Sequence, residues 1–96
     1  MKNMYLVSYD IMNPKRLHVI YKTMKGFGEH TQYSVFLCRL NPKEKVLLNE
    51  ALSEIMNQSE DRIMIVNLGP AEGTSENRIE ILGTQEPPKE PNATIV

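Results

Sequence analysis

HTQYSVFLCRL, residues His30–Leu40, is the stretch on which the fold turns. It is dense in β-branched and aromatic residues and holds no glycine or proline, so it reads as extended chain. It forms either one long strand or two short strands with a tight break near Ser34. With the break, the chain runs strand, helix, strand, strand, helix, strand, which is the split β-α-β unit of ferredoxin-like folds.

The flanking segments supply the other elements. Upstream, Met4–Tyr9 (MYLVSY) is an apolar run of strand formers. Asn13-Pro14 offers a capping side chain followed by proline at the first helical position. The helix Pro14–Lys25 places Leu17, Ile20, Tyr21 and Met24 on one stripe, and Gly26 and Gly28 end it. Its opposite ridge carries Lys15, His18, Lys22 and Lys25. Downstream, Asn41-Pro42 repeats the start signal for a helix over Pro42–Asn57 that buries Leu48, Ala51, Leu52 and Ile55. Asp61–Leu68 (DRIMIVNL) is apolar on both faces, which predicts a central strand. Gly69–Asn77 is a polar loop, and Arg78–Gly83 (RIEILG) alternates as a half-covered strand should. Pro87, Pro88 and Pro91 interrupt the last segment.

The expected architecture is α+β: a ferredoxin-like βαββαβ domain over residues 1–83 with an additional C-terminal strand, then a proline-containing tail over 84–96. Ninety-six residues bury only about 60–70 % of their unfolded surface. Two helices cover one face of the sheet, and little chain is left for the other. A second copy is expected to cover it.

Composition excludes several classes. The single Cys38 rules out an internal disulfide and a cysteine-cluster metal site. No signal-peptide pattern and no apolar run near eighteen residues is present, so the expectation is a cytoplasmic protein without a membrane segment. The formal net charge of −1 conceals a division. Residues 1–45 hold eight Lys and Arg against three Asp and Glu, or +5, while 46–96 hold three against nine, or −6. Such asymmetry suits a surface that meets a polyanion, or else solvated faces that happen to segregate.

VSYDIMNP (Val7–Pro14) raises the chemical question. A strand ends on the lone Asp10, and the next acidic residue downstream is Glu29. An aspartate at a strand end ordinarily serves a turn or a helix cap. The alternative is a ligand for a divalent ion.

YLVSYDI (Tyr5–Ile11), the Lys15-Arg16 pair and QYSVF (Gln32–Phe36), taken together with DRIMIVNLG and RIEILG, resemble the CRISPR-associated protein two family, the small partner of the CRISPR integrase. The resemblance covers nearly the whole chain. It implies a homodimer whose sheets face each other with the last strand exchanged, and a magnesium-dependent endonuclease (manganese substituting) on RNA or duplex DNA. It also implies a bridge between integrase dimers in spacer acquisition. Asp10 would be the metal ligand and catalytic carboxylate, with Tyr9 and Ser34 as site neighbours. Lys15, Arg16, His18, Lys22, Lys25 and His30 would contact nucleic acid, and Phe36, Ile79 and Ile81 would lie at the interface. Family members commonly carry arginines across 15–18 and a basic residue at 30. Leu17, His18 and His30 depart from that pattern, which implies weaker and more pH-sensitive phosphate binding. The competing expectations are a scaffold with an idle Asp10 pair, a virulence-associated D type ribonuclease toxin of the same fold, and a domain binding a small regulatory ligand.

Overall fold

The His30–Leu40 stretch does break. In the computed structural model, which describes residues 1–72 and 78–83, β2 (Glu29–Gln32) and β3 (Val35–Leu40) form a hairpin across a two-residue turn, Tyr33-Ser34. Tyr33 takes a left-handed φ of 34°. A side chain there costs roughly 1–2 kcal/mol, and glycine or asparagine would be the easier choice.

The remaining elements follow the local signals. β1 spans Asn3–Asp10 and α1 Pro14–Lys25. The Asn13 side chain accepts from the Lys15 and Arg16 amides at 2.9 and 3.0 Å, capping α1 at the donors its first turn leaves over. α2 (Pro42–Ile55) opens with a reciprocal cap: Glu44 N–H donates to Asn41 Oδ1, and Asn41 N–H donates to Glu44 Oε1. β4 spans Arg62–Pro70. Gly28 is needed where α1 turns back into β2. A Cβ there would stand 2.3 Å from the Leu37 carbonyl oxygen and 2.5 Å from Cys38 Sγ.

The strands form one antiparallel sheet in the order β2-β3-β1-β4. Both helices pack on one face. There Val7 and Tyr9 of β1, Phe36, Cys38 and Leu40 of β3, and Leu17, Ile20, Tyr21, Met24, Leu48 and Leu52 of the helices make a single core. Each large side chain buried there contributes about 1.5–3 kcal/mol. The other face is not covered to the same degree. Cross-strand partners alternate with the pleat, so Leu6 shares it with Leu37 and Val66, and Ser8 shares it with Val35 and Met64. Met64 is 47 % exposed and Val66 37 %.

Several expectations change. Asp61–Leu68 was expected at the centre of the sheet, but β4 is an edge strand. Apolar residues on both faces record what must lie above and below a strand, not what lies beside it. Arg78–Gly83, expected to pair with a second copy's sheet, takes no place in this chain's own sheet, and Leu82 is 87 % exposed. Phe36, expected at an interface, is wholly buried in the chain's own core because it points toward the helices. The helix expected to reach Asn57 ends at Ile55. The tail over 84–96 and part of the Gly69–Asn77 loop lie outside the described residues. Among the described residues no helix is long and apolar enough to cross a membrane.

Candidate functional site at the end of β1

Asp10 is the last residue of β1 and faces away from the helices, because Val7 and Tyr9 face toward them. It is exposed, and its cross-strand partner on β4 is Arg62. Among the described residues, no ion pair or side-chain hydrogen bond engages its carboxylate. Ser8, Tyr9, Asp10, Arg62 and Met64 line an open recess around it.

The chain just past Asp10 is fixed by a second carboxylate. Asp61 precedes β4, and its side chain is fully buried. Arg16 clasps it with two bonds, Nε to Oδ2 at 2.8 Å and Nη2 to Oδ1 at 3.1 Å. The Met12 amide donates to Oδ1 at 3.0 Å and the Asn57 amide to Oδ2 at 2.8 Å. Arg16 Nη2 also reaches Glu60 Oε1 at 3.0 Å. The Arg16 bonds, aided by the Asn57 and Met12 amides, outweigh burial and hold the Asp61 carboxyl well below the usual carboxylate range. Asp61 thus ties together the β1–α1 loop, the start of α1 and the α2–β4 loop.

Several expected site residues land elsewhere. Arg16 was read as a phosphate contact, but its guanidinium is held by Asp61 and Glu60. Tyr9 adjoins Asp10 in sequence but lies on the opposite face of the sheet, buried against Phe36 at a ring separation of 6.3 Å. Its hydroxyl is buried without a hydrogen-bond partner among the described residues. Burial, and after it the neighbouring Tyr21, push its pKa up to about 12. A neutral, enclosed phenol cannot serve as a base on substrate at neutral pH. Ser34 sits in the turn, and its carbonyl accepts the Tyr9 amide at 3.1 Å, which fastens the hairpin tip to the end of β1. His30 is half-buried, stacked on Phe36 at 4.9 Å and edge-on to Tyr21 at 5.2 Å, and its Nε2 donates to the Tyr33 carbonyl. His30 therefore holds a turn. Lys15, His18, Lys22 and Lys25 do line the exposed side of α1, with Lys25 Nζ over the Tyr21 ring at 5.5 Å. Ile79 and Ile81 are half-buried.

Motif reading missed Arg62, Tyr33 and the Arg16–Asp61 pair. A signal for Arg16 was available. It lies four residues before the buried Ile20, off the Lys15–His18–Lys22–Lys25 ridge, and so on the flank that turns inward.

Divalent-ion chemistry can be tested against these residues. Among the described residues, no three His, Cys, Asp or Glu side chains converge. What the end of β1 offers is one exposed carboxylate, Asp10, with no side-chain hydrogen bond or ion pair among the described residues. Magnesium keeps much of its water and takes one or two protein carboxylates. Asp10 fits such an ion as half of a site.

A model of the CRISPR associated protein Cas2 family matches residues 2–73. A Geobacter sulfurreducens protein called CRISPR-associated endoribonuclease Cas2 is 47 % identical over 72 residues, covering 75 % of this chain and 76 % of its own. A Synechocystis protein called CRISPR-associated endoribonuclease Cas2 3 is 32 % identical over 95 residues, 97 % of this chain and 98 % of its own. The crystal structure of Streptococcus pyogenes Cas2 superposes with a TM-score of 0.74 at 33 % identity, covering 83 % of this chain and 99 % of that one.

Proposed function

This chain belongs to the CRISPR-associated Cas2 family, and from that premise we propose that it is a divalent-metal-dependent endoribonuclease of CRISPR adaptation, working as a homodimer beside the CRISPR integrase. The observation that carries this reading is the bare Asp10 carboxylate at the rim of an uncovered apolar sheet face. Covering that face with a second copy buries Leu6, Leu37, Met64 and Val66, and carries a second Asp10 to the same rim. Two carboxylates brought close repel unless a cation or a proton lies between them. Magnesium or manganese would supply Lewis-acid polarisation of a phosphate oxygen and a bound water of lowered pKa. Asp10 holds and orients the site. Asp61 and Arg16 keep the chain after Asp10 in place. Arg62, opposite Asp10, stands where it can take a phosphate oxygen.

The lysines of α1 supply contacts that position nucleic acid without reading its sequence. Replacing Lys22 and Lys25 with alanine should weaken binding to all sequences alike. It should also flatten the salt dependence by about 0.7 log unit per lost single-strand contact, or about 0.9 on a duplex. An unchanged slope would reduce the ridge to solvated surface.

A second reading has one observation on its side. Arg62 already faces Asp10, so the carboxylate has a cation opposite it within its own chain. A dimeric scaffold that binds nucleic acid and the integrase without cleaving would need nothing more. Cleavage of single-stranded RNA and of duplex DNA, set beside magnesium and manganese calorimetry, separates the two for the parent and for Asp10→Asn. The nuclease reading expects metal binding and cleavage in the parent and loss of both in the variant, with folding intact. A parent that binds no metal and cleaves nothing leaves the scaffold.

A further inference from the structure

Tyr33 is the least explained side chain at this end of the molecule. It is 60 % exposed, and among the described residues its ring touches no other aromatic ring. It nevertheless occupies a left-handed position that penalises any side chain, so local folding gains nothing from a tyrosine there. The backbone beneath it is held firmly. Its carbonyl accepts from His30, and the His30 ring packs on both Phe36 and Tyr21. The next residue, Ser34, is bonded to the Tyr9 amide. β1 and β3 pair Ser8 with Val35, so Ser34 comes level with Tyr9, and Tyr33 falls one step further along, toward the row of Asp10 and Arg62. A cation, a carboxylate and a presented aromatic ring thus share one end of the sheet.

We propose that Tyr33 is a stacking platform for an unpaired nucleobase, which makes a single-stranded nucleic acid the preferred ligand of this end of the sheet. Every base has a π face, so stacking tolerates any sequence but requires a base not already enclosed in a duplex. Arg62 and the α1 lysines would hold the phosphates while the ring holds a base. The inference rests on the Asp10 reading only for the identity of the neighbouring phosphate. Stacking itself needs neither metal nor cleavage.

The test is fluorescence anisotropy of labelled single-stranded RNA in EDTA, on the full chain. Tyr33→Ala should lose between about 5-fold and about 150-fold in affinity. Tyr33→Phe and Tyr33→Trp should stay within about 2-fold of the parent, since the π face is retained. Tyr33→Gly separates ligand binding from folding. Relief of the left-handed backbone should raise its melting temperature, while its affinity falls with that of the alanine variant. A strand of the same length lacking all bases, and a duplex of the same sequence, should bind parent and Tyr33→Ala alike. Equal affinities of parent and Tyr33→Ala for the RNA overturn the proposal. So does equal weakening on the baseless strand, which would mean that Tyr33 touches the backbone. Loss of cleavage in Asp10→Asn with no effect of Tyr33→Ala on binding keeps the nuclease and sinks the stacking. The reverse pattern sinks the metal site and keeps the platform.

Discussion

Asp10 and Asp61 lie at the same end of the sheet, one ending β1 and the other just ahead of β4, yet their surroundings are opposite. Asp61 is enclosed and receives N–H groups from Arg16, Met12 and Asn57. Asp10 is open and receives none among the described residues. A carboxylate has room for about four donors. Asp61 has spent that capacity on its own chain and cannot also bind a ligand. Asp10 keeps all of it. Two aspartates that look alike in sequence therefore differ in what they can do: one fixes the loop, and the other, at the near end of that loop, keeps its oxygens open to solvent.

The comparison breaks most directly by removing one charge at a time. Asp10→Asn should reduce RNA cleavage by orders of magnitude and leave the melting temperature unchanged, or raise it in the dimer when magnesium is absent, because the repulsion is gone. Asp61→Asn should do the opposite to stability. An amide offers one acceptor oxygen where the carboxylate offered two, and turns an N–H toward groups that are themselves donors. The melting temperature should fall on the order of 10 °C. A melting temperature for Asp61→Asn within a degree or two of the parent would show that the Arg16 clasp contributes little. A comparable fall in Asp10→Asn would make Asp10 a cap.

Acid sharpens the same contrast. The Asp61 carboxyl is held below its unfolded value, which is near 3.9. A depressed group stabilises the fold above its unfolded pKa, and that contribution drains away as pH falls from about 4 toward its folded value. The parent should lose melting temperature over that range, and Asp61→Asn should show a shallower slope. Equal slopes would assign acid sensitivity to other carboxylates, Glu44 first, since the Asn41 amide and Lys2 lower its pKa too.

Much of this was legible in the sequence. Asn13-Pro14 and Asn41-Pro42 announced both helices because capping is local chemistry, and a chain with only two helices and little else to lay on the sheet announced an uncovered face. The placement of β4 was not legible, since a strand's neighbours depend on pairing across the whole chain. The Arg16–Asp61 pair joins residues 45 positions apart, and no local pattern links them. Tyr9 is the more instructive failure. Reading Tyr9-Asp10 as one motif put both in the site, although a strand sends adjacent side chains to opposite faces. Motif adjacency grouped what the pleat separates, and likewise drew Phe36 toward an interface while the same pleat pointed it into the core.

Tyr9 supplies a third case beside the two aspartates: enclosed like Asp61, unpartnered like Asp10. Its hydroxyl is cut off from water with nothing to bond among the described residues. An orphaned buried donor costs about 1–3 kcal/mol, so removing it should help. Tyr9→Phe is expected to raise stability by about 1 kcal/mol and to leave RNA cleavage within about 2-fold of the parent. Alkali gives an independent reading of the same group. The parent phenol titrates at about 12 when folded against about 10 when unfolded. The neutral phenol's contribution is complete below pH 10 and is lost as pH climbs through 10 toward 12, because only the unfolded chain has by then released its proton. Denaturant midpoints at pH 8 and pH 11 should therefore fall further in the parent than in Tyr9→Phe. A less stable phenylalanine variant would mean that the hydroxyl does find an acceptor. A large loss of cleavage with stability intact would return Tyr9 to the active site.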